Sequence, residues 1–300
     1  DIGDYVFLAL MWDWGEPFVN PAIYKMIAYA KQRGIKVVSS TNGHVFAREE
    51  NANRLIRSGI DSIIVAMDGI TQKNYERYRQ SGNLATVLDG IRNLVRQKRA
   101  LNSETPLINL RFLVMKHNEH EVPELKRLAK SLGVDVLSLK TVNPYASDTY
   151  CMNRAERAED YDAFIPENPS YRRFRYLGEG DNKQRVRREP PCKSLWNTPS
   201  IHWNGIVSPC TYDYNEMYVL GNLKKQTFRQ IWRGTPYQKM RRQFRSDWEK
   251  VHLCCNCSFA YEGGSCVNET IARVYYNPRV ADLFSNAGDP SRVQSIHDPG

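Results

Sequence analysis

"DSIIVAMDG", Asp61 to Gly69, sets the apolar run Ile63–Met67 between an acidic residue and an Asp-Gly pair. A short Ile- and Val-rich run without apolar/polar alternation is how a strand covered on both faces reads, and parallel sheets are built from such strands. Asp-Gly then signals a turn at the strand's C-terminal end. The same pattern recurs on either side. Upstream lie the strand "DYVFLAL", the helix "NPAIYKMIAYAKQRG" with Ile23, Ile27 and Ala30 at helical spacing, the strand "IKVVSS" and the helix "AREENANRLIRSG". Downstream come the helix "NLATVLDGIRNLVRQKR", the strand "LINLRFLVM", the helix "EHEVPELKRLAKSLG" and the strand "VDVLSLKTV". A beat of roughly thirty residues is that of strand–helix–strand units, so a parallel α/β sheet or part of a (β/α) barrel is expected over residues 1–145.

Folds of this class carry their active sites at the C-terminal strand ends. Polar residues gather there: "WDWGEPFVNP" after the first strand, "STNG" after the second, "MDG" after the third, and "NLRFLVM" on the strand that follows. A Gly-Glu pair leaving a strand allows close backbone approach and supplies a carboxylate able to pair with an ammonium group. Each motif alone is a turn. Their placement on successive strands points to one site.

The beat stops near Pro144, and a polar, Arg-rich stretch over 146–190 reads as a linker. Beyond it, over 191–270, lie six of the chain's seven cysteines, with Cys151 the exception, and 271–300 reads as a tail. "CKSLWNTPSIHWNGIVSPC" places Cys192 and Cys210 about a hairpin that turns at Asn204-Gly205, and Cys254-x2-Cys257 forms a tight two-thiolate knuckle. Disulfides, zinc, an iron–sulfur cluster and plain burial are the alternatives for these thiols. Nothing suggests export, so a reducing cytoplasm is expected, where clustered cysteines bind metal more often than they pair.

Composition bounds the rest. With 41% hydrophobic and 25% charged residues over 300 positions, the chain has the make-up of a globular protein with one large domain and room for a small one. No apolar run approaches the ~20 residues that span a bilayer, and the N-terminal "DIGDYVFLALMWDW" has acidic residues where a secretory signal carries basic ones. A membrane partner is not expected. The net charge of +9 is densest in "YRRFRY" to "RVRREP" and in "KMRRQFR", which read as solvated basic faces, and no nucleic-acid motif surrounds them. The five histidines named for metal spacing, His44, His117, His120, His202 and His252, form none. Trp196, Trp203 and Trp232 read as packing around the cysteines.

In their order, these motifs resemble the radical S-adenosylmethionine (SAM) superfamily with a C-terminal SPASM/twitch extension. "GEP" is similar to that family's Gly-Gly-Glu-Pro segment, with Trp14 at the first glycine, and "SSTNG" and "VAMDGITQKNYERYR" resemble its next strand ends, with Ala66 where the family has serine. The resemblance implies a partial radical SAM (β/α) barrel followed by a small SPASM-like cluster-binding domain. It implies SAM contacts from Gly15 and Glu16, with Ser40, Asn42, Asp68 and Arg79 in the pocket, and an auxiliary [4Fe–4S] cluster on Cys192, Cys210, Cys254 and Cys257. Cys255 and Cys266 are then surplus to one cluster, with Cys266 the alternative should one of the four not ligate. The family's Cys-x3-Cys-x2-Cys does not occur in these residues, and the chain lacks an initiator Met. It therefore reads as a fragment whose catalytic cluster lies upstream and which is inactive alone.

By the same resemblance the full protein would use a 5′-deoxyadenosyl radical to abstract hydrogen from a peptide or small molecule, fed by a donor such as flavodoxin or ferredoxin. A non-catalytic iron–sulfur or zinc scaffold is the alternative reading, and a basic RNA- or peptide-binding module is another.

Overall fold

The computed structural model describes residues 3–142, 163–173, 176–177, 184–186, 192–255, 257–262 and 270–285. Cys151, Cys266 and most of 146–190 lie outside these. Contacts divide the chain into two units. One contains Gly3–Thr141 with Pro166–Tyr171 and Thr270–Gly300, the other chiefly Val142–Ile165 and Arg172–Glu269.

The first unit is a mixed α/β unit around a six-stranded sheet. Strands β1 (Leu8–Leu10), β2 (Lys36–Thr41), β3 (Ser62–Ala66), β4 (Leu107–Val114) and β5 (Val136–Thr141) lie side by side in chain order. All of their pairings are parallel. Helices α1 (Ile23–Gln32), α2 (Glu49–Arg57), α3 (Gln72–Tyr78), α4 (Leu84–Ala100) and α5 (Val122–Leu132) fill the connections. Each starts or stops where its chemistry dictates: the Thr71 and Asn83 side chains cap α3 and α4, and left-handed Gly133 ends α5. The core joins Ile27, Leu55, Ile63, Val65, Leu94, Leu110, Phe112 and Leu125, all fully buried. Each such side chain contributes about 1.5–3 kcal/mol by leaving water.

Three expectations need correction. The strand expected over "DYVFLAL" forms only at Leu8–Leu10, and Tyr5 and Phe7 are 79% and 81% exposed. Among the described residues β1 pairs with β2 alone, so it has one neighbour and little cover. Next, β2 and β4 do alternate. Ile108, Leu110, Phe112 and Val114 are buried while the residues between them are only half-buried. One face packs in the core, and the other carries Ser40, Asn109, Arg111 and Ser138, whose polar groups do not suit a dry core. Finally, part of the expected tail is a strand. Thr270–Tyr275 pairs antiparallel with β5, and a helix follows at Pro278–Ser285. Its anchor is Asp135, whose carboxylate accepts from Asn277 Nδ2 at 2.7 Å, Lys98 Nζ at 2.8 Å and the Ile108 N–H at 2.8 Å.

Asp61, just before β3, clamps the opposite end of the sheet. It accepts from Lys31 Nζ at 2.5 Å, Lys36 Nζ at 3.0 Å and the Val37 N–H at 2.8 Å. Burial works to raise its pKa, but the bonds from Lys31, Val37 and Lys36 together hold it below the ordinary value. A depressed carboxylate stabilises the fold above its unfolded pKa of about 3.9, and that stability is lost as pH falls through the folded value. Asp61→Asn is therefore expected to lower the urea midpoint at pH 7 and to flatten its decline below pH 4. An unchanged acid limb in the variant would show that the clamp contributes nothing.

The second unit holds the expected hairpin. Ser200–Ile201 pairs with Ile206–Ser208, the His202 N–H donates to Ile206 O, and Gly205 sits at φ +88° where only glycine is unstrained. Helices Phe228–Arg233, opened by a Thr227/Gln230 capping box, and Thr235–Asp247 complete it. Trp196 meets Phe244 edge-on, and Trp232 stacks on Phe228. Trp203, expected to pack, is 94% exposed, because it sits beside the hairpin turn.

Candidate functional site

The residues after β1–β4 are tied to one another by hydrogen bonds, and that fixes the polar strand ends. Glu16 leaves β1 and heads a short 3-10 turn. Its Oε1 accepts the Phe18 N–H at 3.1 Å, and its Oε2 accepts the Asn42 N–H at 2.7 Å, across the loop after β2. The structure thus brings Glu16 and Asn42 together. Gly15 stands beside them at φ +90° with open space where a Cβ would be. Ser40 is half-buried on β2, whereas its neighbour Ser39 is buried on the other face and donates to Met11 O at 2.8 Å.

Asn42 also organises His44, whose Nδ1 lies 3.1 Å from Asn42 Oδ1 while its Nε2 accepts the Asn83 N–H at 3.1 Å. Because Nε2 must accept, Nδ1 carries the proton. His44 is therefore a structural link from the β2 loop to the start of α4. Gly43 and Gly90 let those elements touch, since a Cβ on Gly90 would meet the Gly43 carbonyl at 2.4 Å.

Asp68 and Arg79 form the second tie. Asp68 is 2% exposed. Its Oδ2 accepts from Arg79 Nε at 2.6 Å, and its Oδ1 accepts the Leu113 N–H at 2.8 Å, so the ends of β3 and β4 are locked together. The Asp68 charge holds the Arg79 guanidinium above its ordinary pKa against the opposing effect of burial. Asn118 buttresses the corner by donating to Asp68 O and Leu113 O. Gly69, expected as a turn glycine, has a different reason to be glycine. A Cβ there would lie 2.4 Å from the Tyr75 backbone nitrogen, so α3 packs directly on it.

In the second unit Cys192, Cys210, Cys254 and Cys257 are free thiols. Burial pushes the Cys254 thiol far up, and Cys210, Cys257 and Cys192 each push it further, so the other three all act on Cys254. Cys192, Cys210 and Cys254 pack against the core of Val207, Leu220, Tyr237 and Phe244. Four half-buried thiols set near one another ionise together only when a metal's charge offsets them. Among the described residues, no three His, Cys, Asp or Glu side chains close around the position of one metal ion. Cys255 is disulfide-bonded and is not one of the four free thiols.

The description "radical SAM superfamily" matches residues 4–139, and "iron-sulfur cluster-binding domain", SPASM, matches 192–258. The chain belongs to the radical SAM superfamily and carries a SPASM domain. Radical SAM enzymes of this kind use SAM and [4Fe–4S] clusters, and these are its cofactors. A curated relative is the tungsten-containing aldehyde ferredoxin oxidoreductase cofactor-modifying protein of Pyrococcus furiosus, 26% identical over 81% of this chain and 71% of the relative. The AdoMet-dependent heme synthase of Nitratidesulfovibrio vulgaris is 21% identical over 89% of this chain and 75% of its own. Among solved structures, native anSMEcpe with bound AdoMet superposes at a TM-score of 0.53, 12% identical, over 96% of this chain and 88% of that one. Streptococcus suis SuiB bound to precursor peptide SuiA gives 0.53 at 14% identity, over 87% of this chain and 65% of that one. These similarities establish a shared fold. No described helix of this radical SAM protein is long and apolar enough to cross a membrane.

Sequence reasoning counted "NLRFLVM" among the polar strand ends without giving Arg111 a role, and Ser138 carried no signal of its own.

Proposed function

We propose that this radical SAM enzyme binds SAM at the C-terminal ends of β1–β4 and uses it to remove hydrogen from a peptide or small-molecule substrate. Gly15 and Glu16 would hold the amino group, with Ser40, Asn42, Asp68 and Arg79 lining the pocket. The observation that carries this reading is the pair of ties at one end of the sheet, Glu16 to Asn42 and Asp68 to Arg79 and Leu113. They hold a carboxylate and a guanidinium in place before any ligand arrives, as binding a zwitterionic amino-acid moiety requires. Asp68 acts through Arg79, which it holds by the Nε–Oδ2 bond, because Asp68 itself is 2% exposed whereas Glu16 is half-buried. Bound SAM, with a reducing cluster, supplies the hydrogen-abstracting radical, and the protein's part is to bind, orient and exclude water.

The same reading assigns an auxiliary [4Fe–4S] cluster to Cys192, Cys210, Cys254 and Cys257. Support for a cluster over zinc is the spacing. Zinc ribbons use two tight Cys-x2-Cys knuckles, whereas here only Cys254 and Cys257 form one and Cys192 and Cys210 lie on either side of a hairpin. A flavodoxin or ferredoxin would deliver the electron. A peptide substrate is favoured by the neighbours solved with peptides, anSMEcpe with Kp18Cys peptide and SuiB with SuiA.

Glu16→Ala tests the SAM assignment. Losing a charge-assisted contact of about 1.5–3 kcal/mol should weaken SAM roughly ten- to hundredfold in equilibrium dialysis while circular dichroism stays native. Unchanged affinity refutes it.

A further inference from the structure

The face of the sheet turned away from the helices holds a cation that the SAM site does not use. Arg111 lies on β4, and its Nε is buried without a hydrogen-bond partner among the described residues. Its register partner on β5 is Ser138, which is 1% exposed and whose Oγ is likewise buried and unpartnered. Two residues earlier on the same face, Asn109 Oδ1 is a third such atom. A half-turn of that amide would present its Nδ2–H2 as a donor instead.

The Arg111 charge is also only partly offset. The nearby carboxylate of Asp68 is engaged by Arg79 and Leu113, and Arg273 on the C-terminal strand pushes against a second positive charge. Burial lowers the Arg111 pKa to about 10, still high enough to keep it charged at neutral pH. Buried polar groups in native proteins are satisfied, and a buried charge without an acceptor is unfavourable unless something completes it. A guanidinium flanked by a hydroxyl and an amide is a donor set for one kind of ligand group, an oxyanion.

We propose that Arg111, Ser138 and Asn109 form an oxyanion subsite that anchors a carboxylate or phosphate group of the substrate. This rests on the reading that the C-terminal strand ends are the SAM site, and it adds the substrate's class: an anionic molecule. SAM's own carboxylate is the competing source, and the test separates the two.

The probes are inorganic phosphate and acetate, titrated into the 300-residue chain at ionic strength held constant with chloride. The readout is the thermal midpoint. At least one probe should raise the wild-type midpoint saturably, and whichever acts names the group. Arg111→Met should weaken that response at least tenfold. It should also raise the midpoint with no oxyanion present, because an apolar chain of similar length replaces a half-buried charge that is only partly offset. SAM affinity of the variant should stay within twofold of wild type. The proposal is overturned if neither probe acts by 100 mM, if Arg111→Met responds like wild type, or if the variant loses SAM affinity tenfold. That last result would make the anion SAM's carboxylate. Failure of the SAM reading itself would instead appear as unchanged SAM binding in Glu16→Ala, with the Arg111 response intact.

Discussion

Cys192→Ala, Cys210→Ala, Cys254→Ala and Cys257→Ala should each leave the anaerobically reconstituted protein without its visible iron–sulfur absorption. Iron should fall from about four atoms per auxiliary cluster toward zero, following the four-thiolate requirement of a cubane. The loss is expected to be all-or-none because the thiols depend on one another. Cys254 is pushed up by its burial and by Cys210, Cys257 and Cys192, so it ionises only when a metal offsets the charge of the whole set. Cys255→Ser and Cys151→Ala should keep full iron, since Cys255 is disulfide-bonded and outside the set of four free thiols. Elemental analysis decides the matter. Stoichiometric zinc without iron after anaerobic purification would sink the cluster, and full iron in any of the four Ala variants would reassign that ligand.

Asp68→Ala should have the largest effect on the first unit's stability. The carboxylate is 2% exposed and is the shared acceptor for Arg79 Nε and the Leu113 N–H. Its removal leaves a guanidinium and a strand-end amide without their partner, a loss of about 3 kcal/mol for a buried pair broken on one side. Asp68→Asn keeps an acceptor for Leu113 but not the charge, so it should fall between the two. Urea denaturation measures the ordering wild type, Asn, Ala. SAM affinity should drop in both variants because Arg79 loses its position. An Ala variant as stable as wild type would mean that the corner is held by Asn118 alone.

Much of the first unit was legible because its evidence is local. Helical spacing in α1, a glycine stop after α5 and the Ile-Val run of β3 each report on neighbours a few residues away, and those neighbours suffice to set the element. Asp68 and Arg79 were found by position in a motif, but not as partners to each other. Nothing in the chain order says that a residue at the end of β3 will accept from Arg79 at the end of α3. Gly69 was rightly marked as special and given the wrong reason, because the backbone it must clear, at Tyr75, comes close only once α3 folds back.

By itself the sequence determined the parallel α/β class, the place of the polar strand ends, the hairpin at Asn204-Gly205 and the set of cysteines, because turn chemistry, periodicity and thiol spacing are written in consecutive residues. Only the tertiary structure decided which sheet face packs in the core, that Thr270–Tyr275 returns to pair with β5, and that Arg111 stands beside Ser138 with its Nε unpartnered among the described residues. Those outcomes depend on which strands become neighbours and in what register. Register is set by packing across the whole sheet, which no single stretch of chain can report.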